Sequence, residues 1–327
     1  MYSFEDTMID QAQLSQLCAD RELITNEICI WNAFYGIDHV IKLYAGIENA
    51  SPLKVIVPHG IVFSDKVNVY EKYNRVPAIL NFSKHRKLPY QKNTIKRIYD
   101  GNAPFSYVCN LLKNQPQPER RGTIFFLSHS SHYAIVKADI ENIVQKLNFL
   151  DDRFKPVTIC IYWKDYELGY HIPFKKNGYT IVSAGHMYDK HFLFRLYHLC
   201  SLHKYAASNS IGSNLFYSIE AGCSFFYFDA GEVKYDFLLE TDKGFSSINY
   251  TDKLKTMFVV PQQSITPEQK KCAEDYLGLD HFLSPQELRS ILNDAENYYF
   301  SSSWKVKSLL LSICSKLNAY QSRPFNT

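Results

Sequence analysis

Residues 204–230 read KYAASNSIGSNLFYSIEAGCSFFYFDA. This stretch changes period twice. A short apolar run ends at Ser208, a small polar turn runs to Asn214, a helical pattern ends at Gly222, and a second apolar run follows. Run, turn, helix, run is the pattern of a strand–helix–strand unit with parallel strands covered on both faces. One residue would have capped the helix. Six of the seven residues from Ser208 to Asn214 are Ser, Asn or Gly. Two readings stay open. The turn is a heavily capped helix start, or its backbone N–H groups and hydroxyls meet an anion at the positive end of the helix.

The same alternation extends outward. GTIFFLS (122–128), PVTICIYW (156–163) and YTIVSAG (179–185) read as strands. YAIVKADIENIVQKL (133–147) and FLFRLYHLCSLH (192–203) read as helices. Together they predict a doubly wound, Rossmann-like domain over 122–300. The proline-containing LLKNQPQPERRG (111–122) reads as a linker. Ahead of it, NEICIW (26–31), LKVIVPHG (53–60) and VPAILNF (76–82) read as strands, with GIDHVIKLYAGI (36–47) as a helix. That gives a second, shorter α/β domain over 1–115. SPQELRSILNDAENYYF (284–300) opens with a Ser284/Glu287 capping box, and SSSWKVKSLLLSICSKL (301–317) is another helix within a closing segment, 301–327.

With 46% hydrophobic residues over 327 positions, the chain can bury a large core. A net charge of +3 and no nucleic-acid-binding motif give no reason to expect a nucleic-acid partner. The 8 cysteines form no C-x-x-C pair, which fits buried thiols in a reducing compartment. The polar N-terminus and the lack of a membrane-length apolar run lead us to expect a cytoplasmic protein, at most touching the inner face of a membrane. No Asp-x-Asp, His-x-x-x-His or Cys/His cluster is present, so no metal ligand set is expected. There is no P-loop and no G-x-G-x-x-G, and no cofactor is expected.

In a doubly wound sheet, ligands lie beyond the carboxyl ends of the strands. The ends here are SHSSHY (128–133), WKDYE (163–167), GHMYD (185–189), SNSIGSN (208–214) and DAGE (229–232). His129 and His132 are acid, base or phosphate-donor candidates, against the plainer reading of loop histidines. Glu220 is a hydroxyl acceptor or a solvated helix residue. His59 follows a strand of the first domain. Across a cleft it would be a general base for an acceptor hydroxyl, or else a hydrogen-bonded turn residue. Asp38 and Asp65 are weaker candidates for that role. Lys84, Arg86, Lys87, Lys92, Lys96 and Arg97 form an acid-free basic stretch, a solvated face or a contact for anionic lipid headgroups.

Two α/β halves, a linker and a Ser/Gly turn with a Glu one short helix later resemble the GT-B glycosyltransferases. ASNSIGSNLFYSIEAGCSFFYFDAGEVKY (207–235) is similar to the corresponding segment of bacterial transferases that build capsules and O-antigens. The resemblance implies two Rossmann-like domains facing across a cleft, with C-terminal helices crossing back to the first. It implies a metal-independent transferase that takes a nucleotide sugar and a surface-glycan or lipid-linked acceptor. Ser208, Ser210, Gly212 and Ser213 would bind the donor phosphates, and Glu220 its ribose or sugar. Ser128, His129 and Ser130 would line the first phosphate-facing loop. Gly185 and His186 would border the base, and His59 would face the acceptor. A CMP-linked acidic sugar, a UDP-sugar and a GDP-sugar all stay open as donors. So do polyol-phosphate transfer, sugar-nucleotide epimerisation and a non-catalytic binding role. Cys223-Ser224 stands where the family has a small residue and proline, and the first half is shorter than is usual there.

Overall fold

A computed structural model describes residues 11–132, 134–237 and 248–321. Residues 1–10, 133, 238–247 and 322–327 lie outside the described residues.

The chain enters through α1 (Gln11–Leu17), and a 3-10 segment, Ile30–Gly36, leads into α2 (Ile37–Ala45). β1 (Val55–Ile56), α3 (Val69–Tyr73), β2 (Ala78–Asn81), α4 (Lys84–Asn93), β3 (Arg97–Asp100) and α5 (Pro104–Leu112) follow. The three strands form a parallel sheet in the order β1-β2-β3. NEICIW, expected as a strand, is not one. Its neighbour Asn32 uses a side chain where a strand would use backbone. The Asn32 amide donates to the Val55 carbonyl (2.9 Å) and accepts from the Val57 N–H (3.0 Å), which satisfies the free edge of β1. Buried Glu27 completes the anchor, accepting from Leu53 N–H (2.9 Å) and Lys42 (2.8 Å).

The second unit runs β4 (Thr123–Phe126), β5 (Ala134–Lys137), α6 (Ile140–Asn148), β6 (Val157–Cys160), α7 (Trp163–Glu167), α8 (His171–Lys176), β7 (Thr180–Val182), α9 (Phe192–Ser201), β8 (Tyr205–Ser208), α10 (Ser213–Glu220), β9 (Ser224–Tyr227) and β10 (Lys234–Phe237). Five parallel strands lie in the order β7-β6-β4-β8-β9. The order reverses between β4 and β8, where a doubly wound sheet opens its ligand crevice. Ile124, Phe125, Ile159, Ala206, Ala207 and Phe225 are all fully buried, which is why these strands read as unbroken apolar runs. One expectation changes. Ala134–Lys137 is not helical but pairs antiparallel with β10, apart from the main sheet. The helix starts only at Ile140 because the Asp139 carboxylate accepts the Asn142 N–H (3.0 Å) and caps it there.

α11 (Ile248–Phe258), α12 (Pro267–Leu277), α13 (Pro285–Phe300) and α14 (Ser302–Gln321) close the chain. The Ser284/Glu287 capping box is present, and Thr266/Gln269 forms a second one at α12. These helices return to the first unit. The Asn102 side chain donates to the Gly278 and His281 carbonyls (2.6 and 3.0 Å) and accepts from Leu283 N–H (2.9 Å). Gly278 is required there, at φ +74°, because a Cβ would sit 2.4 Å from the Phe82 carbonyl oxygen. The chain is thus two Rossmann-like α/β units facing across a cleft. Behind the cleft they share one core, in which Phe105 of α5 stacks on Tyr217 of α10 at 4.6 Å between ring centroids.

Candidate functional site

A cavity of about 390 Å³ lies between the carboxyl ends of the two sheets. The first unit supplies Tyr35, His59, Gly60, Ile61 and Phe63 to its wall. The second supplies His129, Tyr162, the turn Ser210–Asn214, Tyr217 and Tyr235, with apolar side chains such as Phe126 and Leu193 between them.

His59 follows β1 and sits in an aromatic nest. Trp31 meets it edge-on at 4.9 Å and Phe34 at 5.7 Å. Burial pushes its imidazole down to about 4, so the ring is neutral at pH 7 and keeps an unprotonated nitrogen. That is the state a general base needs before reaction.

The turn after β8 resolves the question its composition raised. No side chain caps α10, so the helix start is not a heavily capped one. Its polar residues divide into two sets. Ser208 is fully buried, and its Oγ accepts the Ser210 N–H (3.2 Å). Asn209 is buried and ties the two central strand ends together, accepting Ser128 N–H (2.7 Å) and donating to Ser128 Oγ (2.9 Å). Ser210, Gly212, Ser213 and Asn214 line the cavity at the N-terminus of α10. The Ser213 Oγ accepts Ile61 N–H (2.9 Å), which stitches the turn to the first unit two residues from His59.

Other expected site residues fall elsewhere. Ser130 is fully buried, with its N–H on both oxygens of Asp165 (3.0 and 3.1 Å) and its Oγ accepting Val136 N–H (2.9 Å). Burial pushes the Asp165 carboxyl up to about 7, against the pull of these Ser130 bonds. Of that loop, His129 reaches the cavity, with its ring 4.4 Å from that of Tyr162. Burial lowers its pKa too. Gly185 and His186 do not line the cavity, and His186 is fully buried with its ring 4.1 Å from Trp163. Glu220 is also outside it. Seven residues of helix carry it about 10 Å from Ser213, where Ser106 Oγ donates to it (2.8 Å). Burial raises its carboxyl to about 8.

The tyrosines were missed by sequence reasoning. The Tyr35 and Tyr162 hydroxyls meet at 3.2 Å across the cleft. Tyr35 holds φ +59°, a left-handed conformation rare outside glycine and often found at functional sites. Nothing in "FYG" announces that strain, because it is imposed by packing. Tyr217 and Tyr235 reach the cavity from α10 and β10.

Beside the cavity the fold gathers Asp20, His132 and His186 from three distant parts of the chain. One Asp20 oxygen lies 3.3 Å from His132 Nε2 and 3.2 Å from His186 Nε2. Tyr188 N–H donates to His186 Nδ1 (3.1 Å). That nitrogen therefore carries no proton, and the neutral ring keeps its proton on Nε2, aimed at Asp20. A metal would need the lone pair that this proton occupies. The cluster reads as a hydrogen-bonded latch for the segment after α1.

The basic stretch is mostly engaged. Arg86 and Lys96 are buried, Arg86 beside Glu71 and Lys96 on the Asn74 and Val76 carbonyls. Lys84 pairs with Asp275 (2.7 Å), Lys87 with Asp100 (2.6 Å) and Arg97 with Asp294 (2.8 Å). These cations hold α4 and β3 to their surroundings.

No protein-family model matches the chain, and no curated protein matches it. Solved structures do. A wall teichoic acid polymerase TagF with CDPG is 10% identical, with a TM-score of 0.39, over 71% of this chain and 60% of that one. The GtfA/B complex is 14% identical, with a TM-score of 0.36, over 76% of this chain and 53% of that one. A second TagF structure is 10% identical, with a TM-score of 0.32, over 75% of this chain and 61% of that one. The chain thus spans less than two thirds of the length of the solved chains it matches.

Proposed function

We propose that the protein is a GT-B type glycosyltransferase that moves a sugar from a nucleotide-sugar donor to a surface-glycan or lipid-linked acceptor. One observation carries this reading. The neutral His59 of one unit and the uncapped Ser210–Asn214 turn of the other line a single cavity.

In this reading the donor phosphate rests on the turn. Its charge is met by backbone N–H groups at the start of α10, by the helix dipole and by the Ser210 hydroxyl, and no metal is called for. The acceptor hydroxyl approaches from the first unit, beside Tyr35 and Phe63. His59 takes its proton as the acceptor oxygen bonds to the anomeric carbon. The bond from that carbon to the phosphate oxygen breaks, and the nucleotide leaves with its phosphate on the turn. A single base suits an inverting displacement. His129, whose Nδ1 faces the Ser130 carbonyl (3.4 Å), lines the same cavity beside Tyr162.

The donor class is settled by trial with CMP-, UDP- and GDP-linked sugars, a CMP-linked acidic sugar being one candidate. A matching donor raises the melting temperature and is consumed in the presence of acceptor. If none of the panel is bound or turned over, the reading fails. Polyol-phosphate transfer is the second reading. Two imidazoles, His59 and His129, line the same cavity, and attack at phosphorus draws on the same base and the same anion-binding turn. Turnover of a CDP-polyol with no turnover of any nucleotide sugar would select it.

A further inference from the structure

α14 is apolar on two opposite sides. Trp304 and Leu311, two turns apart, are buried in a cluster with Tyr73 and Tyr298, and the Trp304 indole N–H donates to the Arg75 carbonyl (3.0 Å). At 3.6 residues per turn, Val306, Leu309, Leu310 and Ile313 fall on the side away from that contact. They are 64, 64, 55 and 48% exposed. Scattered exposed leucines carry no message, but four apolar residues at i, i+3, i+4 and i+7 form a continuous face. Lys305 and Lys307 are exposed on the flanks of this row, the Lys307 ammonium also donating to the Tyr298 hydroxyl (3.2 Å), and the sequence has no Asp or Glu from Ser301 to Thr327. No helix among the described residues is long and apolar enough to cross a membrane.

We propose that α14 lies flat on an anionic lipid surface. Val306, Leu309, Leu310 and Ile313 enter the acyl boundary, and Lys305 and Lys307 stay at the level of the headgroups. Charge selects this occupant over a second copy of the chain. A copy would bring the same lysine-flanked, acid-free face against itself, whereas anionic headgroups offer the opposite sign. The surface differs from the basic stretch at Lys84–Arg97, whose cations are largely paired or buried. α14 docks on the first unit, the one that carries His59. The inference does not depend on which reaction the cavity performs.

The test is co-sedimentation of the full chain with phosphatidylcholine vesicles, with and without about one third phosphatidylglycerol. Binding is expected to the anionic vesicles alone, and to weaken as salt rises from about 0.1 to about 0.5 M. Leu309→Glu with Leu310→Glu should lower vesicle partitioning by at least about tenfold. Lys305→Glu with Lys307→Glu should lower it as well. The leucine pair should leave the melting temperature unchanged, because both side chains are exposed, whereas the lysine pair also gives up the Lys307 bond to the Tyr298 hydroxyl (3.2 Å), so its partitioning is compared for the folded protein alone. Wild-type protein that ignores anionic vesicles, or a leucine variant that binds them equally well, would overturn the proposal. So would a wild-type dimer in sedimentation velocity that the leucine variant turns into a monomer, since the row would then belong to a second copy.

Discussion

The two walls of the cavity are built on opposite rules. The first unit presents a titratable side chain, His59, in a nest of Trp31 and Phe34 rings. The second presents two polar strand ends that look alike in sequence but not in use. After β4, Ser128 and Ser130 are turned inward, Ser128 to the Asn209 amide and Ser130 to the Val136 N–H and Asp165. After β8, Ser210 and the uncapped start of α10 line the cavity, with the Ser210 side chain hydrogen-bonded to Tyr235. Counting polar residues cannot separate the two turns. Tracing where each hydrogen bond goes does separate them.

The contrast between walls breaks most visibly at His59. Under the proposed function, His59→Ala should lower kcat about 10²–10⁴-fold, the usual yield of a positioned base, with donor affinity unchanged. Steady-state kinetics with donor titration checks both. If donor affinity falls instead, His59 belongs to the binding wall. The pH profile adds a signature. Protonation removes the base, so kcat/KM should hold level from pH 7 down past 6 and fall only toward about 4, where burial has moved this imidazole. An ordinary histidine would already fail near pH 6.5.

Within the second wall, the turned-in loop should respond in stability and the open turn in affinity. Asp165→Ala leaves the buried Ser130 N–H without a partner, at a cost of about 1–3 kcal/mol. Denaturant melts should show the loss while donor affinity stays near wild type. Ser210→Ala should do the reverse, weakening donor binding by about 1 kcal/mol, the worth of one hydrogen bond, with an unchanged melt. Equal stability losses from both substitutions would erase the distinction between the turns.

The five-stranded sheet was legible because its strands are buried on both faces and therefore read as uniform apolar runs between helices. That the polar strand ends share one sheet edge was legible as well, but the order that sets β4 beside β8 appears only in the structure. The first unit was harder. Its sheet edge is closed by the Asn32 amide, a side-chain substitute for a strand that no periodicity reveals. Ala134–Lys137 misled because the helical spacing of α6 extends into it by chance, while its true partner lies a hundred residues on. Of the expected site residues, His59, His129, Ser210, Gly212 and Ser213 converge on the cavity. Ser208, Ser128 and Ser130 were named for their hydroxyls, but sequence does not show that backbone N–H groups claim those of Ser208 and Ser130, and the Asn209 amide that of Ser128. The cavity tyrosines were hidden among 24 in the chain, and only the fold selects four.

Glu220 gives the smallest effect on donor binding and the finest test of the division. As a donor ligand it would be ionised and reach the cavity. In the structure it meets Ser106 behind the cavity, with its carboxyl raised to about 8 by burial. A raised carboxyl adds stability below its unfolded pKa, near 4.5, and that stability is lost as pH rises through about 8. Over this range the unfolded chain ionises while the folded one stays neutral. Glu220→Gln keeps the shape and a hydrogen-bonding side chain but has no charge to lose. It should match wild type near pH 4, melt higher by several degrees above pH 8, and bind donor equally well. A variant that instead binds donor several-fold more weakly, with a flat pH–stability difference, would move Glu220 into the binding wall. The line between the two walls would then have to be redrawn along the whole length of α10.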